Sequence, residues 1–325
     1  MKEDFEGKPL FIERMQDLFG EDFKGYEKTL TQIPKKSIRV NTLKMTPEEL
    51  KKKFAEKSWD ISQPFKKHPE VMIMQSNLLP GELGRSLEHL LGYYYVQDIS
   101  SMIPIIILNP KPEEMVLDLC SAPGSKTSQI ASKMNNEGTI IANELKLGRI
   151  KILASNLERC GVSNTIITKA PGEKICSRLN KEGFEFDKIL IDAPCSGEGT
   201  IKDIKGSKES IKAWKINKIN SLCKIQKRLF EFALKVLKPG GEIVYSTCTF
   251  APEENEGVVD FILKEFEDIK IEDITNLIPE EFKTHEGITK WQGEKYKPDV
   301  KKARRVYPQD NNTEGFFIAK FKKTL

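Results

Sequence analysis

The sequence lacks a long apolar run and lacks the start of a secretory signal. Its longest apolar segment, residues 102–108, contains Pro104 and is far shorter than the ~20 residues that cross a bilayer. The first six residues are polar and acidic apart from Met1 and Phe5, without the apolar core of a signal peptide. We therefore expect a cytoplasmic protein with no membrane partner.

Metal-binding and phosphate-binding patterns are also missing. The six cysteines form no C-x-x-C pair, and only three histidines could join them, so no metal site is predicted. The glycine pattern of pyrophosphate-binding turns, G-x-G-x-x-G, does not occur at the first strand-to-helix turn described below. The net charge is only +4, which by itself does not indicate a nucleic-acid partner.

The length of 325 residues leaves room for about two domains, at roughly 150 residues each. Residues 1–95 form the first predicted domain, of α+β class. Apolar spacing predicts a helix over Pro9–Phe19, and alternation predicts a strand over Ser37–Leu43. Thr46, Pro47 and Glu49 together form the start signal of a second helix, an N-cap with a capping box.

Residues 96–325 form the second predicted domain, in which strands alternate with helices. This order is typical of an α/β fold with a mostly parallel sheet covered on both faces. A helix is predicted over Ser221–Leu237, with one apolar stripe at residues 222, 225, 229, 232, 233 and 236. The segment Gly315–Lys323 is predicted to pair antiparallel at one edge. The parallel strands are predicted at Met115–Cys120, Thr139–Glu144, Thr165–Lys169, Phe186–Asp192 and Glu242–Thr249.

A candidate cofactor site follows the first of these strands, in the turn over residues 118–127. Ligands of open α/β sheets bind beyond the carboxyl ends of strands, where a helix start offers free N–H groups. Gly124 permits the turn, and Glu144 ends the next strand at a usual distance for an acid that binds ribose hydroxyls. The turn suits a dinucleotide or S-adenosylmethionine. Ala122 and Pro123, which stand where a pyrophosphate would need close backbone approach, favour the ligand without phosphates.

Two further loops carry cysteines. Asp192-Ala193-Pro194-Cys195 follows the fourth strand, and Cys248 lies at the end of the fifth. Both thiols are expected at the carboxyl edge of the sheet, beside the cofactor turn. Buried cysteines often pack as small apolar side chains, but two of them at strand ends beside Asp192 and Lys126 favour chemistry.

Methylation at carbon 5 of a pyrimidine requires such an arrangement. Carbon 5 becomes nucleophilic only after a thiolate adds to carbon 6, and Lys126 is a candidate to stabilise that thiolate. Asp192 is placed to hydrogen-bond the base as charge develops. Cys195 is placed to remove the carbon 5 proton, or to assist its removal.

These motifs together resemble the Nol/Nop/Sun family of RNA cytosine-5 methyltransferases. The resemblance runs from about Ser37 to Lys323. It rests on Arg39-Val40-Asn41-Thr42, Tyr95-Val96-Gln97-Asp98-Ile99-Ser100-Ser101, Cys120-Ser121-Ala122-Pro123-Gly124-Ser125-Lys126, Asp192-Ala193-Pro194-Cys195-Ser196-Gly197, Ser246-Thr247-Cys248 and Gly315-Phe316-Phe317-Ile318-Ala319. It implies a Rossmann-like class I methyltransferase domain preceded by a small RNA-positioning domain, with S-adenosylmethionine as the methyl donor.

The resemblance also implies roles for individual residues. Cys248 would be the nucleophile and Cys195 would assist product release, with Asp192 and Lys126 completing the catalytic set. The cofactor would be held by Cys120, Ser121, Ala122, Pro123, Gly124, Ser125, Lys126, Glu144, Arg149 and Asp192. One position departs from the family pattern: the aspartate expected after the third strand is replaced by Pro171, so either Glu173 substitutes for it or the adenine is held by backbone and apolar contacts.

Charge is unevenly distributed in a way that favours RNA as the partner. Residues 201–228 hold nine Lys/Arg and two Asp/Glu, residues 253–282 hold two and eleven, and residues 283–325 are again basic. If the first stretch is helical, one face carries lysines that could follow a phosphate backbone; these are Lys202, Lys205, Lys208, Lys212, Lys215 and Lys218. Trp214, Trp291 and Tyr296 could stack on bases or pack in the core.

The RNA itself is not identified by any motif. Compact members of the family often act on tRNA, so tRNA is the first expectation and ribosomal RNA the second. An RNA-binding assembly factor that keeps the fold without the activity is an alternative. An amino-group methyltransferase is a further alternative, although it would leave Cys248 unexplained.

Overall fold

The computed structural model describes residues 9–202, 211 and 214–325. Its first part contains a four-stranded antiparallel sheet, ordered β2-β3-β1-β4. The strands are β1 (Ser37–Val40), β2 (Ile61–Ser62), β3 (Val71–Met74) and β4 (Tyr94–Val96). The strand predicted over 37–43 ends early because the chain turns at Asn41, whose backbone oxygen accepts from the N–H of Lys44 at 3.0 Å.

Helices complete this first part. The N-cap prediction at Thr46 is confirmed: its Oγ1 accepts from the Glu49 N–H at 3.3 Å, and the Glu49 carboxylate accepts from the Thr46 N–H at 2.8 Å. The helix predicted over Pro9–Phe19 is also confirmed. The helices are α1 (Pro9–Phe19), α2 (Phe23–Leu30), α3 (Pro47–Glu56), α4 (Glu82–Arg85) and α5 (Leu87–Leu90).

The helices α1 and α2 pack on the second part of the chain rather than on the first sheet. Phe19 stacks on Tyr26 with ring centroids 4.4 Å apart, and both rings contact Phe250. Phe19 also lies 4.8 Å from the ring of Tyr307, and Phe11 meets Trp214 edge-on at 5.6 Å. An aromatic core therefore joins the start of the chain to its last third.

The second part is a mixed sheet in the order β11-β14-β15-β9-β8-β5-β6-β7, with β10 also paired to β15. Strands β7, β6, β5, β8 and β9 are parallel, and β15 runs antiparallel to β9. The bounds are β5 (Met115–Asp118), β6 (Thr139–Asn143), β7 (Thr165–Thr168), β8 (Phe186–Asp192), β9 (Leu237–Thr247), β10 (Ile269–Glu272), β11 (His285–Glu286), β14 (Arg304–Val306) and β15 (Phe316–Lys323). A separate pair consists of β12 (Lys290–Trp291) and β13 (Glu294–Lys295).

Helices cover both faces of this sheet, which confirms the predicted α/β class. Alternate residues of each central strand enter different apolar cores: Ile189 lies in one, together with residues of α9 and α10, and Leu190 lies in the other, together with residues of α6 and α7. The helices are α6 (Ile99–Leu108), α7 (Ser125–Lys133), α8 (Leu147–Cys160), α9 (Gly172–Lys181), α10 (Ile216–Leu234), α11 (Glu256–Glu265) and α12 (Pro308–Asn311).

Two sequence predictions need correction. The late antiparallel strand β15 does not lie at the sheet edge, because β14 and β10 pair beyond it. The helix predicted over 221–237 spans Ile216–Leu234. Within the predicted apolar stripe, Leu229, Ala233 and Val236 are buried and Ile225 is exposed.

A buried arginine joins the two parts of the chain. Arg39 of β1 is 2% exposed and donates to Gln97 Oε1, Ser128 Oγ, Ser125 O and Ser132 Oγ at 3.1, 2.8, 3.2 and 3.4 Å. Three of these acceptors lie on α7, the helix that follows the predicted cofactor turn. Within the described ranges, no helix is long and apolar enough to cross a membrane.

Candidate active site

The predicted cofactor turn connects β5 to α7. Gly124 has a φ of +104°, a backbone conformation that side chains disfavour, and an added Cβ would lie 3.1 Å from Leu153 Cδ1. The Ser121 hydroxyl donates to the backbone oxygens of Asp118 and Asn143, at 2.8 and 3.0 Å. Glycine is therefore required where the helix begins, and the loop is anchored to the ends of two strands.

Side chains from outside the turn hold its carbonyl groups. Arg149 donates to the backbone oxygen of Ala122, Asn156 donates to that of Pro123 at 2.9 Å, and Arg39 donates to that of Ser125 at 3.2 Å. The peptide groups are thereby fixed with their oxygens toward these donors.

Glu144 directly follows β6, one residue beyond the strand end, whereas the sequence predicted it to form that end. Its carboxylate is 4% exposed, forms an ion pair with Arg149 at 3.0 Å and accepts from the Lys146 N–H at 2.9 Å. Because Arg149 also bonds the turn at Ala122, one side chain links the acid to the loop. Beside them, burial raises the pKa of the Cys120 thiol well above its usual value, so Cys120 stays protonated.

The departure at Pro171 places Glu173 in the first turn of α9. There its carboxylate pairs with Arg228 of α10 at 3.4 Å. Gly172 beside it packs closely, since an added Cβ would meet Leu229 Cδ2 at 2.3 Å. Among the described residues, the Glu173 carboxylate is thus paired with a neighbouring helix.

Asp192 and Lys126 form an ion pair at the carboxyl edge of the sheet. Lys126 Nζ lies 2.8 Å from Asp192 Oδ2 and 2.9 Å from Ser101 Oγ, and it lies 5.1 Å from the centre of the Phe316 ring. Because Asp192 and Ser246 are register partners on β8 and β9, Ser246 Oγ reaches Asp192 Oδ1 at 2.8 Å. The carboxylate is held on both oxygens and remains 30% exposed.

The two predicted cysteines meet. Cys195 Sγ and Cys248 Sγ are 3.3 Å apart, and both are free thiols. The hydrogen bond with Cys248 and burial raise the pKa of Cys195 well above its usual value, and the negative charge of Glu254 adds to this effect. Cys195 therefore stays protonated near neutral pH.

Hydrogen bonds join the two cysteine loops. The Gly199 N–H donates to the backbone oxygen of Cys248 at 2.9 Å, and the hydroxyls of Ser196 and Thr249 are 2.6 Å apart. The Glu198 carboxylate accepts from Thr249 Oγ1 at 3.2 Å and from Trp214 Nε1 at 2.6 Å. The thiols are consequently carried by one connected unit.

Comparison with known proteins assigns the chain to a family. Residues 105–322 match the family described as 16S rRNA methyltransferase RsmB/F, and residues 8–99 match the N-terminal domain of 16S rRNA methyltransferase RsmF. The chain is 44% identical to the tRNA (cytosine(49)-C(5))-methyltransferase of Pyrococcus abyssi over 88% of each sequence. The chain belongs to the RsmB/F family of RNA methyltransferases, a Nol/Nop/Sun-type family.

Other relatives agree with this assignment. The RsmB/F-type chain is 38% identical to Ribosomal RNA small subunit methyltransferase F of Aliivibrio fischeri, over 89% of its own length but only 58% of that relative. Its structure superposes on that of a methyltransferase homolog from Pyrococcus horikoshii with a TM-score of 0.83, at 35% identity, covering 97% and 95% of the two chains. The resemblance predicted from the motifs is confirmed.

The predicted lysine face of this RsmB/F protein is only partly described. Lys205, Lys208 and Lys212 lie outside the described residues. Lys202 is half-buried outside any helix and donates to the backbone oxygen of Thr29 at 3.2 Å, while Lys215 precedes α10 and Lys218 lies in its first turn. Because Lys202 and Lys215 lie outside the helix, the described lysines do not form one helical stripe.

The aromatic residues of the basic segments are mostly structural. Trp214 and Trp291 are buried, and Trp291 Nε1 donates to Glu253 Oε1 at 3.3 Å. Tyr296 is partly buried and packs against the apolar core that contains Ile189. The two tryptophans are therefore packed in the protein core, which was one of the two predicted alternatives, rather than exposed for stacking on bases.

Sequence reasoning missed several residues of this RsmB/F site. Ser101, Ser246 and Phe316, which contact the Lys126 and Asp192 pair, lie inside motifs that were recognised without a role for each residue. Asp118 was also missed, although it ends β5: its Oδ2 accepts from Thr127 Oγ1 at 2.6 Å, and its buried Oδ1 has no hydrogen-bond partner among the described residues. Burial raises the pKa of Asp118 to about 7. No group of three metal-ligating side chains occurs among residues that the structure describes.

Proposed function

We propose that this chain methylates carbon 5 of cytosine in RNA, using Cys248 as a covalent nucleophile and S-adenosylmethionine as the methyl donor. The observation that carries the proposal is the contact between Cys195 Sγ and Cys248 Sγ at 3.3 Å, beside the Asp192 and Lys126 pair. A noncovalent methyltransferase would not need two thiols at this edge.

The residues of the turn fit S-adenosylmethionine. Glu144 offers a carboxylate for ribose hydroxyls at the end of β6. Asp118 Oδ1 is a buried acceptor that has no partner within the described part of the chain, and an ammonium group could satisfy it. Cys120 to Lys126 would hold the methionine moiety, with Arg149 supporting Glu144. When bound, the cofactor supplies an electrophilic methyl group on a sulfonium.

The chain's own residues would divide the remaining work. The Cys248 thiolate adds to carbon 6 of the cytosine, and the S–H of Cys195 stabilises that thiolate beforehand. Asp192, fixed by Lys126 and Ser246, holds the ring nitrogen or the exocyclic amine. After carbon 5 is methylated, its proton passes to a water molecule with the assistance of Cys195. The electron pair of that C–H bond restores the double bond between carbons 5 and 6, the bond between carbon 6 and sulfur breaks, and the Cys248 thiolate is released.

Lys126 has a different partner from the one considered in the sequence analysis, which was the nucleophilic thiolate. Its hydrogen bonds go to Ser101 and Asp192, and the structure gives it no contact with a thiol. We propose that Lys126 acts on the base through Asp192, while the Cys195 S–H supplies the donor that the thiolate needs.

The substrate we propose is tRNA. The chain matches a tRNA cytosine-5 methyltransferase over 88% of both sequences, whereas it spans only 58% of the rRNA methyltransferase relatives of Aliivibrio. A ribosomal substrate is the second candidate, favoured by the descriptions of the two matching domains.

Two measurements test the proposal. Bisulfite sequencing of total RNA, with and without the gene, should show one cytosine of a tRNA losing its protection when the gene is absent. In vitro, Cys248→Ala should abolish methylation, and Cys195→Ala should accumulate a protein–RNA adduct on a denaturing gel. Unchanged turnover and no adduct in the Cys195 variant would remove the role assigned to that residue.

A further inference from the structure

The segment that follows Cys248 folds back beneath both cysteine loops. Glu254 and Asn255 are fully buried there. Their N–H groups donate to the backbone oxygen of Ala251 at 3.1 and 3.2 Å, and Tyr245 Oη donates to the backbone oxygen of Glu254 at 2.6 Å. Two adjacent polar side chains are thus fixed below the pair of thiols.

The Glu254 side chain holds the loop of Cys195. Glu254 Oε2 accepts from the Ser196 N–H at 3.0 Å and from Gln226 Nε2 at 2.7 Å, and Gln226 Nε2 also donates to the backbone oxygen of Pro194 at 2.9 Å. The backbone on each side of Cys195 is therefore tied to one buried carboxylate and amide pair.

The Asn255 side chain does the same for the loop of Cys248. Asn255 Oδ1 accepts from Thr247 Oγ1 at 2.6 Å, and Asn255 Nδ2 donates to the backbone oxygen of Thr249 at 2.9 Å. Asn255 is the residue before α11, where asparagine usually caps a helix, yet its side chain forms no cap bond. The amide is committed to the residues flanking Cys248.

We propose that Glu254 and Asn255 are positioning residues that set the two thiols, Glu254 through the Cys195 loop and Asn255 through the Cys248 loop. The inference rests on the proposed function, because it assigns a task to each thiol. Loops at strand ends are free to shift by fractions of an ångström, and a hydrogen bond between two sulfurs weakens with such shifts. Fixing both flanks of each cysteine from one buried dipeptide removes that freedom.

The charge of Glu254 adds an electrostatic part. Its carboxylate raises the pKa of Cys195, beyond the larger effects of Cys248 and burial. Replacing Glu254 with alanine should therefore loosen the Cys195 loop and increase its thiolate fraction, while leaving the bonds of Asn255 in place.

Thiol alkylation tests the inference without requiring any RNA. Iodoacetamide modification of Cys195 and Cys248 is followed by mass spectrometry in Glu254→Ala, Asn255→Ala and Glu253→Ala. Glu253 is the matched control, because its carboxylate pairs with Arg14 at 2.8 Å. We expect Glu254→Ala to speed alkylation of Cys195 several-fold relative to Glu253→Ala, because the loop is loosened and a carboxylate that raises the pKa of Cys195 is removed. Asn255→Ala should change the alkylation rate of Cys248 instead.

Adduct trapping with the RNA substrate gives the second readout. Glu254→Ala should retain the covalent adduct, as Cys195→Ala does, whereas Asn255→Ala should form about tenfold less adduct, because its nucleophile is misplaced. Glu254→Gln keeps an oxygen that can accept from the Ser196 N–H, so it should recover part of the release step. If Glu254→Ala does not fold, Glu254→Gln is judged by the same two readouts.

The inference would be overturned if Glu254→Ala and Asn255→Ala lost activity to the same extent while both cysteines were alkylated at the rate seen in Glu253→Ala. Both residues would then serve stability alone. If the wild-type chain makes no 5-methylcytosine, the proposed function fails. The alkylation rates still decide whether each residue positions its own thiol.

Discussion

Replacing Arg39 tests whether the first sheet supports the cofactor turn. Arg39→Ala deletes four hydrogen bonds from a guanidinium that is 2% exposed. Individual bonds to charged groups contribute about 1.5–3 kcal/mol, but they share one desolvation penalty, and the α7 acceptors keep partners within their helix. All four acceptors are uncharged, so the substitution leaves no buried charge unpaired, and we expect a total loss of about 3 kcal/mol.

The assay compares thermal unfolding and cofactor affinity. For a domain of this size the loss corresponds to roughly 5–10 °C in the midpoint. Because Arg39 bonds the backbone oxygen of Ser125 at the start of α7, S-adenosylmethionine binding measured by calorimetry should also weaken. Arg85→Ala is the control: this exposed arginine bonds only the nearby backbone of Pro80 and Gly81, and its loss should stay within about 0.5 kcal/mol. An Arg39 variant as stable as the Arg85 variant would refute the reasoning.

The remaining predictions concern charge. Asp118→Asn should flatten the pH dependence of stability. The native pKa of Asp118, about 7, lies above the ordinary value for an aspartate, so the wild type loses stability as pH rises through about 7. Thermal unfolding midpoints between about pH 5 and pH 8 measure this slope. Glu256→Gln should lower the free energy of unfolding by about 3–5 kcal/mol, measured in urea, because Glu256 forms a fully buried pair with Arg305; an unchanged midpoint would contradict this. The double substitution Lys215→Glu with Lys218→Glu should weaken RNA binding in filter-binding assays and reduce the slope of log affinity against log salt concentration by about 2. The control Lys51→Glu with Lys52→Glu on α3 should have less effect. Equal effects of the two double substitutions would show that Lys215 and Lys218 are only solvated surface residues.

Much of the fold could be predicted because local signals and tertiary packing agree. The capping residues at Thr46 and Glu49 and the strand Phe186–Asp192 were placed correctly, since each has an unambiguous pattern. The helix α10 was predicted with shifted ends: it begins at Ile216 rather than Ser221 and ends at Leu234 rather than Leu237. The position of β15 inside the sheet depends on β10 and β14, two short strands with no distinctive periodicity.

Only the site residues that lie at the ends of strands could be predicted from the sequence. Strand order brings Asp192, Cys195 and Cys248 to one edge, and the sequence alone carries that information. The sequence does not reveal which side chain holds which loop, because Glu254 and Asn255 lie in an acidic segment whose composition is typical of solvent-exposed surface. Nor does it reveal that Lys126 bonds the Asp192 carboxylate, since a thiolate and a carboxylate were both expected near that lysine.

The aromatic core that receives α1 and α2 has a consequence for synthesis on the ribosome. Phe19 and Tyr26 leave the ribosome early, but Phe250 and Tyr307, on which they pack, lie more than 200 residues later in the chain. Such contacts form late, and the apolar surface is exposed until they do. The nascent chain therefore has to hold its first two helices unburied while nearly the whole sheet is made, and it completes its N-terminal packing among its last folding events.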